Sequence, residues 1–319
     1  MLQQTRVETV ERYWSGFIAR FPDVGALAAA DDDEVLAAWS GLGYYRRARL
    51  LHAGAKRVAA DLGARLPQDV VALRQIPGIG AYTAGAIASI AFDRPEPLVD
   101  GNVARVLCRL EAVDDPRLQV ATSPWLWAAC AEILRRGTPR VLGQALMELG
   151  ATVCTPRAPR CSACPVAAQC RARQDGSTDR IPAPRERVTA PVLSLWALAV
   201  MRTGAVLVTR RADEGLLAGM WCLPLVPRTG PDVAAPARAD IGALVRGRIG
   251  AVGQHGPPVT HVFTHRRWSL QVVTVEVGPG AQARTAAPHV WLESEARPPG
   301  GLPAVTRKLL ARVRSPAQT

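Results

Sequence analysis

The sequence predicts a two-domain protein, in which an all-α domain at residues 1–172 precedes an α+β domain at residues 191–319. Three observations lead to this prediction. In the first part, apolar residues recur at intervals of three and four, which is the period of a buried helix face. Residues 173–190 are polar and charged and contain prolines, as is typical of a linker. Beyond them, short runs of apolar and β-branched residues are separated by turn signals, which indicates strands.

The first two helices of the all-α domain are predicted from their capping and breaking residues. Thr5 and Glu8 have the spacing of a capping box, so the first helix is expected to begin near Thr5. Its buried face is expected to carry Val7, Val10, Trp14, Phe17 and Phe21. The acidic run at residues 31–34 is expected to cap a second helix, which Gly41 and Gly43 interrupt. The inward-facing residues of that helix are predicted to be Val35, Leu36 and Trp39.

The remaining elements follow from the same periodicities. Further helices are expected at Arg46–Val58, Val70–Gln75, Tyr82–Phe92, Val103–Leu110, Trp125–Arg136 and Val141–Leu149. In the second domain, strand-like runs at residues 193–202 and 205–211 flank Thr203-Gly204, which is a hairpin signal. The other predicted elements there are a strand at Trp268–Val277 and a closing helix at Val305–Val313.

The charge of the chain favours an anionic partner. Its 39 Lys and Arg residues exceed its 27 Asp and Glu residues, which gives a net charge of +12. Lys56 and Lys308 are the only lysines, so nearly all of the positive charge is arginine, which suits phosphate binding. A GC-rich genome also raises arginine content, so the charge alone does not establish a nucleic-acid partner. Because neither a signal peptide nor a long apolar run is visible, we expect a cytoplasmic protein.

Four of the seven cysteines are clustered. Cys154, Cys161, Cys164 and Cys170 follow one another at a spacing of x6-x2-x5. In a chain without an export signal this density indicates a metal site rather than disulfides. A zinc ribbon separates its two cysteine pairs by about 15–20 residues, and the ferredoxin spacings also differ. The residues by themselves leave an iron–sulfur cluster, a zinc ion and four unrelated thiols open.

Two further motifs contain candidate functional residues. Pro77-Gly78-Ile79-Gly80 joins two predicted helices, and its glycines allow a tight turn that leaves backbone amides available to a phosphate. About 20 residues later, Asp100 precedes Gly101 and Asn102, where a helix is predicted to begin. An ordinary turn and an ordinary capping aspartate are the alternatives.

The cysteine spacing, the hairpin sequence and Asp100 together resemble the helix-hairpin-helix DNA glycosylases, and among them the MutY family. The resemblance implies that Asp100 is the catalytic carboxylate, which stabilises positive charge on the sugar, and that Asn102 orients it. It also implies a [4Fe–4S] cluster whose ligands are Cys154, Cys161, Cys164 and Cys170. Arginines flank this loop and suit contacts to a DNA backbone: Arg157, Arg160, Arg171 and Arg173.

The residue type at position 82 distinguishes two branches of that superfamily. It stands where endonuclease III carries the lysine that forms a Schiff base, and tyrosine cannot form one. The resemblance therefore implies an adenine DNA glycosylase of base-excision repair without lyase activity. Its expected partner is double-stranded DNA with adenine opposite 8-oxoguanine or guanine, bound by a monomer at the nucleoid. A bifunctional pyrimidine glycosylase of the endonuclease III type is an alternative, which Tyr82 disfavours.

The first residues raise a question about the general acid. MutY proteins carry Glu-Val-Met-Leu-Gln-Gln-Thr, and this chain begins Met1-Leu2-Gln3-Gln4-Thr5. By the resemblance, the glutamate that protonates the adenine lies two residues before Met1, and such an acid is worth about 10²–10⁴ in rate. We expect a start codon that was assigned too late. The alternative is a truncated gene, whose product would be a damage-binding remnant with impaired catalysis.

The resemblance also implies residues that read DNA. Gln4 matches an amide that wedges into the base stack, Tyr44 an aromatic ring that intercalates beside 8-oxoguanine, and Gln144 a residue of the adenine pocket. The complete implied set of DNA-binding residues is Gln3, Gln4, Tyr44, Pro77, Gly78, Gly80 and Gln144.

The second domain resembles the Nudix-like domain of MutY proteins, which recognises 8-oxoguanine. The implied recognition residues are Phe263, Thr264 and His265, where the family has Phe-Ser-His. A Nudix hydrolase needs an Arg-Glu-x-x-Glu-Glu run to bind magnesium, and residues 227–253 contain none. Nucleotide hydrolysis is therefore not expected, and the domain is predicted to serve recognition alone.

Overall fold

The computed structural model describes residues 1–115, 118, 120–183, 190–228, 235–263 and 265–314. The chain forms two compact units, one made of Met1–Lys56 with Val188–Thr319 and the other of Arg57–Arg187. In the described residues, no helix is both long and apolar enough to cross a membrane. The predicted domain limits at residues 172 and 191 stay a prediction, while the packing of residues 1–56 with the C-terminal part is a feature that the sequence pattern does not anticipate.

The α-helices include all those predicted from the sequence and three short ones that were not predicted, namely Val24–Ala29, Arg171–Gln174 and Arg238–Leu244. They are α1 (Val7–Arg20), α2 (Val24–Ala29), α3 (Asp32–Ala38), α4 (Arg46–Asp61), α5 (Val70–Leu73), α6 (Ala81–Ala86), α7 (Gly101–Leu110), α8 (Pro124–Arg135), α9 (Pro139–Glu148), α10 (Arg171–Gln174), α11 (Arg238–Leu244) and α12 (Ala304–Arg314). Two π-helical turns continue α6 and α9, at Ile87–Ala91 and Leu149–Val153. Residues 1–115, 118 and 120–183 contain no strand, which confirms the all-α prediction for the described part of this region.

The first helix differs from its prediction in two ways. Its N-cap is Arg6 rather than Thr5, because the Thr5 hydroxyl accepts a hydrogen bond from the Arg47 guanidinium instead of capping the helix. Val7 and Trp14 are 56% and 54% exposed, whereas the other three residues of the predicted face are buried. At about 100° per residue, Val7 and Trp14 lie at one edge of the apolar arc, and only the opposite edge meets the core.

A mixed β-sheet dominates the second half of the chain. Its strands are β1 (Val192–Arg202), β2 (Ala205–Arg210), β3 (Trp221–Cys222), β4 (Leu225–Pro227), β6 (Ile249–Val262), β7 (Arg267–Val277) and β9 (His289–Leu292), and a separate pair is formed by β5 (Val245–Arg246) and β8 (Gln282–Ala283). The main path of the sheet is β3-β2-β1-β7-β6, with β1 parallel to β7 and antiparallel to β2. This α+β architecture confirms the predicted fold class, and Thr203 and Gly204 form the predicted turn of the β1–β2 hairpin.

Residues 1–56 share a hydrophobic core with the C-terminal half of the chain. Leu36 of α3 and Trp39, the C-cap of this helix, are buried in one cluster with Met220 and Cys222. A Cβ on Gly301 would stand 2.6 Å from the Leu36 carbonyl oxygen, so only glycine permits this close approach. The Ser40 hydroxyl donates a hydrogen bond to the Leu302 carbonyl at 2.7 Å. These contacts explain why the two stretches form one compact unit.

The unit at Arg57–Arg187 is built around α7. The buried side of this helix packs in a core to which α8 contributes Leu126, Cys130 and Leu134. Gly85 of α6 lies against the backbone of Pro97, since a Cβ there would fall 1.9 Å from the Pro97 carbonyl oxygen. The first part of the predicted linker also packs on this unit, because Ile181 is 3% exposed. The packing holds both ends of α7 in place.

Candidate active site

The predicted hairpin connects α5 to α6. Its turn is closed by a hydrogen bond from the Ile79 amide to the Ile76 carbonyl at 3.1 Å. Gly78 has a φ of +83°, a left-handed conformation that favours glycine. Gly80 is the N-cap of α6, and a Cβ added to it would meet no atom within 4 Å. The turn therefore presents open space beside backbone amides.

Asp100 is the N-cap of α7. Its Oδ1 accepts hydrogen bonds from the Asn102 and Val103 amides, at 2.9 and 2.8 Å. Its Oδ2 accepts a hydrogen bond from the Asn102 side-chain amide at 3.1 Å. The carboxylate is half-buried. Three donors thus fix its position, and because Oδ1 accepts two of these hydrogen bonds, the remaining acceptor capacity lies on Oδ2.

Arg105 forms the layer behind this aspartate. It is 9% exposed, and its Nη2 donates to the Asn102 side-chain oxygen at 2.9 Å. The same guanidinium donates to the carbonyls of Gly150 and Cys154, each at 2.7 Å. A short chain of hydrogen bonds therefore connects Asp100, through Asn102 and Arg105, to the first cysteine of the clustered loop.

The π-helical turn at Leu149–Val153 lies directly against the start of α7. A Cβ on Gly150 would fall 2.7 Å from the Cβ of Asn102 and 2.8 Å from its carbonyl oxygen. Real Cβ atoms do not make such contacts, so a side chain at this position would displace the backbone next to Asp100. Gly150 thus permits the close packing on which the hydrogen bonds of Arg105 depend.

Arg109, one helical turn after Arg105, contacts the cysteine loop itself. It is 2% exposed, and its Nη1 lies 3.3 Å from the Cys154 sulfur and 2.8 Å from the Thr155 carbonyl. Its Nε donates to the Ile181 carbonyl at 2.8 Å. A buried arginine therefore braces the loop from inside and places its positive charge next to a thiol.

The four clustered cysteines line one small cavity. Its wall consists of Arg109, Val153, Cys154, Pro159, Cys161, Cys164, Ala167, Cys170, Arg173 and Thr178. Burial raises the pKa of the Cys161 thiol, and the other three thiols raise it further, whereas Arg109 lowers it. Among the residues that the structure describes, no group of three or more His, Cys, Asp or Glu side chains has the arrangement of a metal-ion site.

Tyr82 and Gln144 also belong to this unit. The half-buried Tyr82 hydroxyl lies 3.0 Å from the Met147 sulfur. Burial raises the pKa of the Tyr82 phenol, and the negative charge of Asp100 raises it further. Gln144 is exposed on α9, where its side-chain amide donates to the Arg140 carbonyl. Tyr82 is therefore within electrostatic range of Asp100, and its catalytic role stays a prediction.

Three predicted DNA-binding residues lie in the other unit. Gln3 and Gln4 are exposed in a turn before α1, and Tyr44 is 50% exposed just before α4. Gln4 and Tyr44 have φ angles of 57° and 47°, an uncommon conformation for residues other than glycine.

Two of the predicted 8-oxoguanine residues, Phe263 and His265, lie between β6 and β7 and not within a strand. Phe263 packs edge-to-face on His261 and Trp268, with ring centroids 4.6 and 4.7 Å away. His265 is exposed. Thr264 lies outside the described residues. Phe263 is thus held by two neighbouring rings, and the role of all three residues in recognising 8-oxoguanine stays a prediction.

Three residues of this site have no role among the sequence-based predictions: Arg105, Arg109 and Gly150. The two arginines stand four residues apart in a helix whose other residues are largely apolar, which places both charges on the buried side. An arginine pair on an apolar helix face is a signal, because buried charge requires dedicated partners. Those partners are carbonyl groups distant in sequence, which no local pattern reveals.

Two family models match this chain. Residues 1–127 match the HhH-GPD superfamily of base excision DNA repair proteins, and residues 195–312 match the NUDIX domain. A solved structure of a thermostable thymine-DNA glycosylase aligns with a TM-score of 0.50 and 26% identity, over 55% of this chain and 80% of that one. The chain is thus a helix-hairpin-helix glycosylase-type protein with an appended Nudix-like domain.

Relatives of known name narrow this class. The adenine DNA glycosylase of Mus musculus is 37% identical over 343 residues, which cover 92% of this chain and 66% of the relative. That of Mycolicibacterium smegmatis is 47% identical over 178 residues, which cover 55% of this chain and 59% of the relative. The chain belongs to the adenine DNA glycosylase, or MutY, family. It spans about two thirds of the length of the mammalian relatives that it matches.

Proposed function

We propose that this protein removes adenine from DNA in which the adenine is paired with 8-oxoguanine or guanine, by hydrolysis of the N-glycosidic bond. The observation that carries the proposal is the carboxylate of Asp100, which three hydrogen-bond donors hold at the start of α7. The similarity to adenine DNA glycosylases supports the choice of base.

Asp100 is the group that stabilises the transition state. When the bond to adenine breaks, positive charge develops on the sugar, and a fixed carboxylate near C1′ stabilises it without reorganisation. Asn102 keeps that carboxylate in place, since it donates both its backbone and its side-chain N–H groups to Asp100. Arg105 in turn holds the Asn102 oxygen, so the amide can present only its N–H group to the aspartate.

Tyr82 determines what kind of glycosylase this is. A phenol cannot form a Schiff base at C1′, so water adds to C1′ instead. The C1′–N bond breaks, adenine leaves as the free base, and an abasic sugar with a hydroxyl from water remains in a strand that the enzyme does not cut. Because burial and Asp100 both raise its pKa, Tyr82 stays a neutral hydroxyl at physiological pH. It contributes a polar, uncharged contact to the sugar region beside Asp100.

The four cysteines fit a [4Fe–4S] cluster. Cys154, Cys161, Cys164 and Cys170 line one cavity and would supply the four thiolates that hold such a cluster. Arg109 places a positive charge beside Cys154, which offsets the negative charge of a thiolate-bound centre. When bound, the cluster cross-links the loop as a structural centre. The chain's own contribution is the link from Cys154 through Arg105 to Asn102.

DNA binding uses surfaces of both units. In the helical unit, the turn at Pro77–Gly80 contacts a phosphate through backbone amides, and Gln144 reads the extruded adenine. In the other unit, Gln3, Gln4 and Tyr44 enter the base stack. The Nudix-like part reads the opposite base through Phe263, Thr264 and His265. The enzyme acts as a monomer on the chromosome inside the cell.

The proposal is tested by adenine release in single-turnover reactions with an 8-oxoguanine·adenine duplex. We expect adenine release, and its loss in Asp100→Asn. Borohydride trapping is expected to yield no covalent adduct, and an adduct would favour a bifunctional pyrimidine glycosylase. Selective binding of the duplex without any release would instead support a damage-binding protein without catalysis.

The cluster is tested separately by composition. Protein purified without oxygen is expected to be brown and to contain iron and sulfide in equal amounts. Cys161→Ser is expected to lower both, whereas Cys130→Ser, a buried cysteine outside the loop, keeps both. Zinc without sulfide would contradict the proposed cluster but would leave the glycosylase proposal intact.

A further inference from the structure

Arg47 is the residue that organises the segment before α1. It lies in the first turn of α4, and its guanidinium donates to the carbonyls of Met1 and Gln3. Its Nη2 donates to the Thr5 hydroxyl at 2.8 Å. Residues 1–6 contain no helix or strand, so this single side chain supplies cross-links that secondary structure does not. Arg47 therefore adds side-chain cross-links to the turn of the two glutamines, which a backbone hydrogen bond from the Thr5 amide to the Leu2 carbonyl closes.

The same guanidinium contacts two aromatic rings. Its central carbon lies 5.3 Å from the centroid of Tyr44 and 5.5 Å from that of Trp39. Trp39 is 1% exposed and is itself held by a hydrogen bond from its Nε1 to the Gly43 carbonyl. Tyr44 is half exposed. Arg47 thus connects an exposed ring to a ring that is fixed in the core.

No acidic partner explains this arginine. None of the ion pairs found among the described residues involves Arg47. Arg49, two residues further along α4, pairs with Asp213. The Nε atom of Arg47 is buried and has no hydrogen-bond partner. A half-buried guanidinium costs desolvation energy that an acid would normally offset, so its retention calls for another reason.

The two segments that Arg47 joins both have an unusual backbone conformation. Gln4 and Tyr44 both occupy the left-handed region of φ, which residues other than glycine rarely adopt. Such backbone conformations persist only where the surroundings hold them in place. Arg47 is bonded to both neighbours of Gln4, Gln3 and Thr5, and it covers the ring of Tyr44.

We propose that Arg47 is a positioning residue for mispair recognition, which holds the glutamine turn and Tyr44 in one fixed geometry before DNA is bound. The inference rests on the proposed function, in which these residues enter the base stack. A planar, fork-shaped cation suits the role, since it donates in several directions and stacks on rings at once. Pre-ordering the wedge removes an entropic cost from the binding step.

The test measures selectivity, defined as the affinity for an 8-oxoguanine·adenine duplex divided by that for a fully matched duplex at the same salt concentration. The variants are Arg47→Met and Arg47→Lys. Arg46→Met is the matched control, since Arg46 is the exposed neighbour on α4 and carries the same charge. Thermal unfolding of each variant reports whether the fold is retained.

We expect both Arg47 variants to lose about tenfold in selectivity, which corresponds to about 1.4 kcal/mol. Lysine keeps the charge but cannot bridge the turn and the rings, so it is not expected to restore selectivity. Arg46→Met is expected to weaken binding to both duplexes equally, because it removes only a sequence-independent phosphate attraction.

A double-mutant cycle separates positioning from general destabilisation. In a Gln4→Ala, Tyr44→Leu background the wedge is absent, so Arg47→Met is expected to cause no further loss of selectivity. An equal loss in both backgrounds would overturn the positioning role, as would full selectivity in Arg47→Lys or Arg47→Met. If the unchanged protein showed no selectivity at all, the proposed function would fail. If the unchanged protein were selective and the Arg47 variants kept that selectivity, only this inference would fail.

Discussion

Two helices in the Arg57–Arg187 unit begin at an aspartate, and the two sites differ in what lies behind the carboxylate. Asp69 caps α5 by accepting a hydrogen bond from the Ala72 amide at 2.8 Å, and its side chain is exposed. Asp100 caps α7 in the same manner but is half-buried and also accepts from the side chain of Asn102.

Both aspartates cap a helix through the same kind of hydrogen bond, but only Asp100 is supported by further side chains. Any aspartate before a helix satisfies one or two free amides, and this explains both caps. Only the α7 site has a second side chain that orients the carboxylate and a buried arginine that orients this side chain in turn. A fixed carboxylate can act on charge in a substrate, while a solvated one mainly stabilises its own helix.

The largest expected effect comes from removing one negative charge at each site. Asp100→Asn is expected to slow adenine release by about 10²–10³-fold, as the loss of one preorganised electrostatic group does elsewhere. Asp69→Asn is expected to leave the rate unchanged. Because asparagine caps helices about as well as aspartate, neither variant should unfold the protein. Single-turnover release and thermal unfolding measure the two properties, and equal rates in both variants would remove the distinction between the sites.

The second prediction concerns the layer behind Asp100. Arg105→Met leaves the buried Gly150 carbonyl and the partly buried Cys154 carbonyl without this donor, at about 1–3 kcal/mol each. We therefore expect the free energy of unfolding to fall by about 2–4 kcal/mol and adenine release to slow. Arg74→Met, an exposed arginine at the end of α5, serves as the control and should change neither. Denaturant titration checks the first effect, and an unchanged midpoint in Arg105→Met would contradict the role of this layer.

A smaller effect is expected from tightening the contact at the start of α7. Gly150→Ala adds a Cβ that overlaps the backbone of Asn102, which should cost about 1–3 kcal/mol. Gly101→Ala, on the helix itself, adds a Cβ with no atom within 4 Å and should be neutral or slightly stabilising. Comparing the two unfolding free energies isolates the close approach, and equal values would contradict it.

The smallest expected effect is on the titration of Tyr82. Asp100→Asn removes the charge that helps to raise the pKa of this phenol, so the pKa should fall while still staying raised by burial, its larger cause. Asp69→Asn should leave it unchanged. The absorbance of tyrosinate at alkaline pH, compared with Tyr82→Phe, measures this shift.

The sign of the accompanying stability change follows from linkage. Because the folded-state pKa of Tyr82 is raised, its contribution to stability is complete below the unfolded pKa of about 10 and is lost as the pH rises through the folded value. Tyr82→Phe should therefore lose less stability than the unchanged protein above pH ~10. A steeper loss in Tyr82→Phe would contradict the raised pKa.

Much of the fold could be predicted from patterns within the sequence. The boundary between helical and strand-rich regions, the turn at Thr203-Gly204 and the start of α7 after Asp100 all depend on local spacing. Predictions from local spacing were wrong where tertiary contacts decided the outcome. Thr5 has the sequence of a cap, yet its hydroxyl bonds to Arg47, which is distant in sequence. Trp14 has helical spacing, yet it lies at the exposed edge of the apolar arc.

The sequence by itself determined the chemical groups and their local frames: a carboxylate before a helix, a glycine turn between helices, and four closely spaced thiols. These features depend on backbone geometry over a few residues, which the residue types dictate. Only the tertiary structure decided that Arg105 holds Asn102, that Gly150 admits the π-helical turn, and that Arg47 joins the glutamine turn to Tyr44. Arg105 is only three residues from Asn102, and Arg47 only three from Tyr44, but both guanidiniums are held by backbone carbonyls more than 40 residues away. Every sequence offers such carbonyls in excess, so no local pattern selects the partner.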